Sequence, residues 1–174
     1  MSDSSTFGAE LVTPEAVLFS GPATAVVLRT SEGDLTVLAG HTPLVGDVVP
    51  FVVRIERPDE ATEAFCVHGG FVQVATATGA AVGLVEDAAP TERSTRVTLL
   101  AGVTEPVGAV DVVRAEAARD RATSELAALG SRDDEEAAIE RTAAEGSLAR
   151  AELRLAAAQG AAGAERPAVT PASR

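Results

Sequence analysis

The character of the chain changes at Val110, and this change limits the folds open to it more than any other feature. Upstream of Val110, short runs rich in Val, Leu and Thr alternate with turns that contain Gly or Pro, whereas Ala, Glu and Arg dominate downstream. β-Branched residues favour strands, and Ala, Glu and Arg favour helices. The sequence therefore predicts an α+β chain with an all-β half followed by a helical half.

Ten short apolar runs precede Val110, and turn-forming residues separate them. The predicted strands are residues 10–12, 16–20, 24–30, 35–38, 44–48, 51–56, 63–67, 71–75, 81–85 and 97–101. Many short strands with close turns are typical of antiparallel sandwiches and flattened barrels. We therefore predict an N-terminal ten-stranded antiparallel β-sandwich over residues 9–104.

The helical half contains two predicted helices, residues 110–129 and 134–159, and a glycine follows each of them. The short turn between them makes a C-terminal antiparallel two-helix hairpin, which we assign to residues 105–159. Residues 1–8 and 160–174 are polar or rich in Pro and Gly, and we predict disordered tails there. The predicted apolar stripe of the hairpin is thin, so we expect the hairpin to be marginally stable by itself. The stripe consists of Val110, Val113, Ala117, Leu126, Leu129, Ile139, Ala143, Ala151 and Leu155.

Charge and composition exclude several classes of function. The net charge is −12, all 14 cationic residues are Arg, and only 3% of the residues are aromatic. An acidic chain with few aromatic faces does not bind nucleic acid or anionic lipid unaided, and a chain without Lys cannot use lysine chemistry. The single cysteine excludes a disulfide framework, and no positively charged leader precedes Arg29. We expect a cytosolic protein, or one held at a membrane only through a partner.

Candidate catalytic and metal-binding residues are few. His41 and His68 each lie at a predicted turn, and Asp34, Asp47 and Cys66 are the ligand types that could join them. Their spacings match no ligand motif, and no Gly-x-Ser-x-Gly nucleophile motif is present. We therefore predict no catalytic residue and no metal site, and we interpret the histidines as turn residues bonded to backbone. A small metal-dependent hydrolase that uses both histidines is the alternative.

The arginines of the hairpin form a more informative pattern. Arg114 and Arg121 are seven residues apart, and Arg150 and Arg154 are four apart, so each pair shares one helix face. Folding the hairpin brings Arg114 near Arg150 and Arg154. Guanidinium groups in such a cluster repel one another, and a polyphosphate would relieve that repulsion.

Acidic residues near these arginines allow two interpretations. Asp111 or Glu105 could accept a hydrogen bond from the base or ribose of a bound nucleotide. Alternatively, the arginines pair with Glu116, Glu145 and Glu152 on a solvated face. Geometry alone favours the pairing, and the nucleotide site stays open beside it.

Three motifs, in order along the chain, carry a resemblance to a known family. They are Leu11-Val12-Thr13-Pro14-Glu15 with Leu18-Phe19-Ser20-Gly21, the loop SEGDLTVLAGHTPL from Ser31 to Leu44, and Phe65-Cys66-Val67-His68-Gly69-Gly70-Phe71. Over about residues 10–158 the chain resembles the epsilon subunit of bacterial F-type ATP synthases. Thr36 and Ala39 replace the usual Gly and Pro, and residues 79–96 form a longer segment that we expect to be a surface excursion.

The resemblance implies a β-sandwich followed by a helical hairpin, in a subunit that is not catalytic. Such a subunit binds the gamma subunit, contacts the polar loops of the c-ring, and couples proton flow to ATP synthesis in the alpha/beta catalytic head. Its hairpin restrains ATP hydrolysis by extending into that head. It lies peripherally at the cytoplasmic face of the bacterial plasma membrane. The residues that the resemblance places at the c-ring interface are Glu32, Gly33, Asp34 and His41.

Some members of this family bind ATP in the folded hairpin through a pattern resembling Ile/Leu-Asp-x-x-Arg-Ala, and residues 110–115 here read Val-Asp-Val-Val-Arg-Ala. The resemblance thus implies no required cofactor and a regulatory role for ATP. The implied ATP contacts are Glu105, Asp111, Arg114, Ala115, Arg121, Arg150 and Arg154. An opened second helix would offer Arg141, Arg150 and Arg154 to an acidic surface of the head. The alternative function is a β-sandwich adaptor with a helical dimerisation hairpin, although the thin Ala-rich stripe lacks a sustained heptad seam.

Overall fold

The computed structural model describes residues 6–59, 61–77 and 94–160, and the chain divides after Ala109 into two units. In its described part, the first unit contains ten strands that join in one sheet. The strands are β1 (Phe7–Val12), β2 (Val17–Ala23), β3 (Ala25–Thr30), β4 (Gly33–Val37), β5 (Leu44–Val48), β6 (Phe51–Glu56), β7 (Thr62–Val67), β8 (Gly70–Ala77), β9 (Ser94–Ala101) and β10 (Thr104–Pro106). Their order across the sheet is β10-β7-β6-β3-β5-β8-β9-β1-β2, and β4 pairs with β3.

One pair of strands departs from the wholly antiparallel arrangement that the sequence predicts. β1 and β9 run parallel, with Ala9 beside Val97, whereas the other paired strands run antiparallel. Most of the sheet lies between β1 and β9 along the chain, so no tight turn imposes opposite directions on them.

The sheet curls around one apolar core. Alternate side chains point inward, as in β1, where Phe7, Ala9 and Leu11 are buried. The core is a single cluster that draws on every strand from β1 to β9, and Leu28 and Ile55 are among its largest members. Burial of a side chain of this size contributes about 1.5–3 kcal/mol. The predicted α+β class, with an enclosed β-sheet domain before the helices, is confirmed.

The boundaries of the sheet differ from the predicted ones at both ends. β1 begins at the buried Phe7, so the predicted N-terminal tail is shorter than eight residues. β10 is not among the predicted strands, because three residues that end in proline give a weak strand signal. β10 contains Glu105, so the unit boundary falls at Ala109 and not after residue 104. The predicted strand at 81–85, most of the predicted excursion and the C-terminal tail lie outside the part of the chain that the structure describes.

The second unit is a pair of helices, and each begins at an aspartate. They are α1 (Val112–Leu129) and α2 (Glu135–Ala158), and a 3-10 turn at Val107–Ala109 precedes them. Asp111 accepts the backbone N–H of Arg114 at 3.0 Å, and Asp134 accepts that of Ala137 at 2.9 Å. α1 ends before Gly130, and α1 and α2 pack along their length, so the predicted hairpin is confirmed. Neither helix is long and apolar enough to cross a membrane, a statement that covers the described residues only.

The contact between the helices is made of smaller side chains than the sequence suggests. The predicted stripe is wrong at Val113 and Ile139, which are 75% and 67% exposed, and at the exposed Ala117 and Ala143. The buried residues are Ala115, Ala122 and Leu129 on α1, with Ala137, Ala144, Ala151, Leu155 and Ala157 on α2. Alanines recur at seven-residue spacing on both helices, so small side chains let the helices approach closely where larger ones would hold them apart. We call this set of buried residues the alanine seam.

Candidate functional site

Four arginines of the hairpin lie on one side of the helix pair. Arg114 and Arg121 each directly precede a seam alanine of α1, and Arg150 directly precedes Ala151 of α2. One step along a helix turns a residue by about 100°, and in an antiparallel pair the same offset leads to the same side of both helices. Arg154, three residues after Ala151, lies on that side too. We call Arg114, Arg121, Arg150 and Arg154 the arginine side.

Three of these arginines are not neutralised by acidic side chains. Within the described residues, Arg114, Arg121 and Arg150 make no ion pair, and the ion pairs of the hairpin belong to Arg119 and Arg132. The alternative in which glutamates neutralise the arginine side is therefore not seen for these three. Unpaired guanidinium groups on one side of a helix pair form a surface that attracts anions.

Acidic residues collect on the other side of the hairpin, around Arg119. Its guanidinium donates to Asp120 at 2.7 Å and 2.9 Å. That hydrogen bond is the main reason why the pKa of Arg119 is raised, and the charges of Asp120, Glu116 and Glu152 raise it further. Glu116 of α1 and Glu152 of α2 thus both lie close enough to Arg119 to stabilise its charge.

Arg150 is held against its own helix. Its Nη2 donates to Ser147 Oγ at 3.0 Å. Ser147 also lines a cleft of about 410 Å³ between the helices. Near the turn of the hairpin, Glu125 and Glu140 line this cleft, and Oε2 of Glu140 lies 3.6 Å from Nη1 of Arg132. These carboxylates repel an anion near the turn, so the end of the cleft beside Ser147 and Arg150 is the more favourable place for one.

The remaining predicted ATP contacts divide between the two units. Asp111 caps α1 through the N–H of Arg114, and Ala115 is buried in the alanine seam. Glu105 lies in β10, in register with Cys66 of β7, and so belongs to the first unit. The hairpin alone therefore supplies six of the seven predicted contacts.

Arg141 has a structural role at the turn of the hairpin. Its Nη2 donates to the carbonyl oxygens of Arg132 at 3.0 Å and Gly130 at 3.3 Å. A cation at this position satisfies carbonyl groups at the end of α1. Arg141 would become available to another surface only after the turn opens.

The turn between β3 and β4 carries three residues predicted at the c-ring interface. Arg29 donates to the carboxylate of Asp34 from Nε at 2.5 Å and from Nη2 at 3.3 Å, and its guanidinium lies 4.6 Å from the centre of the Phe51 ring. The hydrogen bond to Arg29 is the main reason why the pKa of Asp34 lies below its usual value. Glu32 is exposed, and Gly33 has a φ of 128°, which side chains disfavour. Asp34 is thus already paired with a cation of its own chain.

His41 lies at the other end of β4 from this turn. Its Nδ1 is 2.8 Å from the carbonyl oxygen of Thr42, so it is a turn histidine bonded to backbone, as predicted. The N–H of Gly40 donates to the buried Thr95 hydroxyl at 2.7 Å and ties the loop to β9. One partner can contact both His41 and Glu32 only if it extends along β4.

The candidate metal ligands are dispersed. In the described ranges, no group of three or more His, Cys, Asp or Glu side chains converges on one point. His41 and Asp34 lie at opposite ends of β4, and Cys66 is buried in β7. His68 directly follows β7, so the two histidines of the hydrolase alternative lie in different loops.

An exposed apolar row crosses neighbouring strands of the sheet, and it was not predicted. Phe71 pairs with Leu100, Leu100 with Val12, and Val12 with Val17. Phe71, Leu100 and Val17 are 60%, 53% and 59% exposed, and Val45, on the strand next to Phe71, is 74% exposed. Contiguous exposed apolar surface marks an interaction site. Its one local signal is the alternation in β8, which puts Phe71 on the face opposite the buried valines.

Comparison with known proteins agrees with this architecture. The family model "ATP synthase, Delta/Epsilon chain, beta-sandwich domain" matches residues 6–80. The ATP synthase epsilon chain of Desulforudis audaxviator is 36% identical over 118 residues, which cover 68% of this chain and 72% of that protein. The epsilon chain of Brevibacillus brevis is 35% identical over 117 residues, 67% of this chain and 75% of that protein.

Solved structures share the fold. A chain of the Euglena gracilis mitochondrial ATP synthase superposes with a TM-score of 0.66 at 20% identity, over 87% of this chain and 81% of that chain. The first unit is thus a β-sandwich domain of the ATP synthase delta/epsilon type. The chain belongs to the ATP synthase epsilon chain family. This membership excludes the alternative of an adaptor unrelated to a rotary motor.

Proposed function

We propose that this chain is a non-catalytic rotor subunit of a bacterial F-type ATP synthase, which couples proton flow through the c-ring to ATP synthesis in the catalytic head. The observation that carries the proposal is its similarity to bacterial epsilon chains over most of their length. We expect a peripheral position at the cytoplasmic face of the plasma membrane, through contacts with other subunits. Affinity purification of a tagged chain from solubilised membranes tests this, and recovery without gamma or catalytic subunits would contradict it.

The apolar row is the proposed contact with the gamma subunit. Val12, Val17, Val45, Phe71 and Leu100 form an apolar strip on a sheet whose core is already complete. Burial of such a strip against a partner would stabilise the complex by the hydrophobic effect. The sandwich would then be sufficient for assembly, and a chain cut after Ala109 would retain gamma.

A charge in the apolar row tests this contact. Phe71→Asp should abolish copurification of gamma, because the charge would be buried without a partner. Ile139→Asp is the matched control, since Ile139 is also an exposed apolar residue but lies on α2. Equal recovery of gamma with both variants would remove the row from the interface.

The turn at Glu32, Gly33 and Asp34 is the proposed contact with the polar loops of the c-ring. It is exposed, and its shape is fixed by the Arg29–Asp34 ion pair and the positive φ of Gly33. His41 joins the same contact if the c-ring loops extend along β4. A turn whose shape is already fixed loses little conformational entropy when it binds a partner. It would also transmit torque without deforming.

Exchange of the ion pair separates a structural role from an interface role. Asp34→Arg alone puts two arginines side by side, whereas Asp34→Arg with Arg29→Asp restores a pair of reversed polarity. If the turn contacts the c-ring, ATP-driven proton pumping in membranes should fall in both variants. Recovery of pumping in the double variant would show that only the local pair matters.

The hairpin is the proposed regulator of ATP hydrolysis, and ATP is its proposed ligand. A polyphosphate on the arginine side would neutralise Arg114, Arg121, Arg150 and Arg154 and favour the folded hairpin over the open one. Asp111 at the start of α1 would lie beside it. Without nucleotide, α2 would open and offer Arg141, Arg150 and Arg154 to the acidic surface of the alpha/beta head.

Calorimetry with MgATP on the purified chain tests the nucleotide site. Arg114→Ala and Arg121→Ala should each weaken binding by about tenfold, the effect of one lost charged hydrogen bond. Arg119→Ala is the control, because Arg119 lies on the acidic side and is paired with Asp120. No heat from the unmodified chain at millimolar nucleotide would eliminate the nucleotide role and leave the rotor role intact.

A further inference from the structure

Arg150 differs from Arg114 and Arg121 in that a side chain of its own helix holds its guanidinium by a hydrogen bond. Its Nη2 donates to Ser147 Oγ at 3.0 Å, and Ser147 Oγ donates its own proton to the carbonyl oxygen of Ala143 at 2.9 Å. Because the hydroxyl proton is used by that carbonyl, the lone pairs of the oxygen are left for the guanidinium. Arg150 is also partly buried, whereas Arg114 and Arg121 are exposed and make no ion pair within the described residues.

Gly146 provides the space in which this rotamer fits. A Cβ atom built at Gly146 would lie 3.3 Å from Nη1 of Arg150, a tight contact that would displace the guanidinium by a few tenths of an ångström. Glycine is among the poorest helix formers, yet Gly146 lies inside α2 with no positive φ that would require it. Glycine at this position therefore matters because it has no side chain to contact Arg150.

We propose that Gly146 and Ser147 are positioning residues, which hold the Arg150 guanidinium in place on the arginine side for the phosphates of a nucleotide. This inference rests on the nucleotide site proposed above and adds two residues to it. An arginine already held in one rotamer loses less conformational entropy when it binds a phosphate. Gly146 and Ser147 both have a lower helix propensity than alanine, so α2 is less stable than it would be with alanine at these two positions.

Substitutions at these positions separate positioning from helix stability. Gly146→Ala places a methyl group against the Arg150 guanidinium, and Ser147→Ala removes the hydroxyl that accepts its hydrogen bond. Both substitutions raise the helix propensity. If they acted only through helix stability, the binding-competent hairpin would be more populated and MgATP would bind equally or more tightly. Positioning predicts the opposite result, with a more heat-stable hairpin and an affinity for MgATP about threefold to tenfold lower.

Two further variants complete the comparison. Ser124→Ala is the matched control, because Ser124 Oγ donates to the carbonyl of Asp120 at 2.9 Å as Ser147 Oγ does to that of Ala143, but within the described residues it hydrogen-bonds to no arginine. It should leave the affinity for MgATP unchanged. Ser147→Thr keeps the hydroxyl but lowers helix propensity, so it should retain the affinity that Ser147→Ala loses.

The experiment is calorimetric titration of the full chain and these four variants with MgATP, with circular dichroism to follow melting of the hairpin. Weaker binding by Gly146→Ala and Ser147→Ala, with retained binding by Ser147→Thr and Ser124→Ala, supports the inference. Unmodified affinity in the first two variants overturns it and leaves the nucleotide site standing. No binding by the unmodified chain overturns both the inference and the nucleotide site.

Discussion

The sandwich and the hairpin bury their contact residues to a similar extent, but with side chains of different size. The sandwich buries Leu28, Ile55 and Leu99, whereas the helices meet mainly through alanines such as Ala122 and Ala144. A buried leucine contributes about 1.5–3 kcal/mol, and the single methyl group of alanine contributes about 0.8 kcal/mol. Complete burial is therefore a poor measure of how strongly two elements are held together.

This difference assigns different roles to the two regions. The sandwich has the cohesion that a torque-transmitting part of a rotor needs, and its core does not depend on a partner. The hairpin combines a seam of small side chains with Arg114, Arg121 and Arg150, which make no ion pair within the described residues, and the proposed response to a bound anion rests on these two features. Elements that move are drawn from the least stable parts of a protein.

The largest expected effect is at Gly70 in the sandwich. A Cβ at Gly70 would lie 2.1 Å from the carbonyl oxygen of Leu100, and its φ of 149° disfavours any side chain. Gly70→Ala should lower the free energy of unfolding by about 4 kcal/mol or more. Urea denaturation would measure this, with Gly102→Ala as the control, because no atom lies within 4 Å of the Cβ position at Gly102. Similar midpoints for both variants would show that the sheet tolerates a shift at Gly70.

A smaller effect, confined to the hairpin, is expected from a larger side chain in the alanine seam. Ala122→Leu should separate the helices and increase the rate of trypsin cleavage in the hairpin about tenfold, because overpacking costs about 1–3 kcal/mol and cleavage follows the open population. Trypsin suits this test because it cleaves after Arg, and both helices contain several arginines. Ala127→Leu is the control, since Ala127 is exposed on the same helix. Equal cleavage of both variants would mean that the seam does not hold the helices.

The smallest effect is expected from the ion pair at the β3–β4 turn. The pKa of Asp34 lies below its usual value in the folded chain, so the pair stabilises the fold above the unfolded pKa of about 3.9. That stabilisation is lost as the pH falls through the lowered folded pKa. At pH 7 the melting temperature of the Asp34→Asn variant should therefore be slightly below that of the unmodified chain. In strong acid the two melting temperatures should be equal. Glu32→Gln is the control, because it removes a charge from the same exposed turn and leaves the Arg29–Asp34 pair intact. An equal loss of stability at pH 7 in both variants would indicate a general charge effect.

Local signals explain what could be predicted from the sequence. Asp134 and Gly130 mark helix ends by hydrogen bonds and backbone geometry within a few residues, and the helices begin and end there. The predicted start of the first helix at residue 110 is wrong by two residues, because Asp111 caps α1 from outside the helix. The turn role of His41 was predictable for the same reason. Candidate arginines could be placed on one side of the hairpin because helical spacing alone determines their faces.

Features that depend on distant contacts could not be predicted. Val113 and Ile139 are large apolar members of the predicted stripe, yet close helix packing selects the smaller Ala115 and Ala137 for the seam. The apolar row requires the pairing of β1 with β9, which no local pattern announces. The bonds that hold Arg150 depend on side-chain rotamers, so the pairing with glutamates was the natural expectation.

Hydrogen exchange of the intact chain, with and without MgATP, tests the division between a stable sandwich and a nucleotide-sensitive hairpin most directly. The amides of β3, β6, β8 and β9 should exchange slowly in both conditions. Those of α1 and α2 should exchange much faster without nucleotide and slow down when MgATP is added. Equal protection of sandwich and hairpin without nucleotide, or an effect of MgATP on the sandwich instead of the hairpin, would contradict this account.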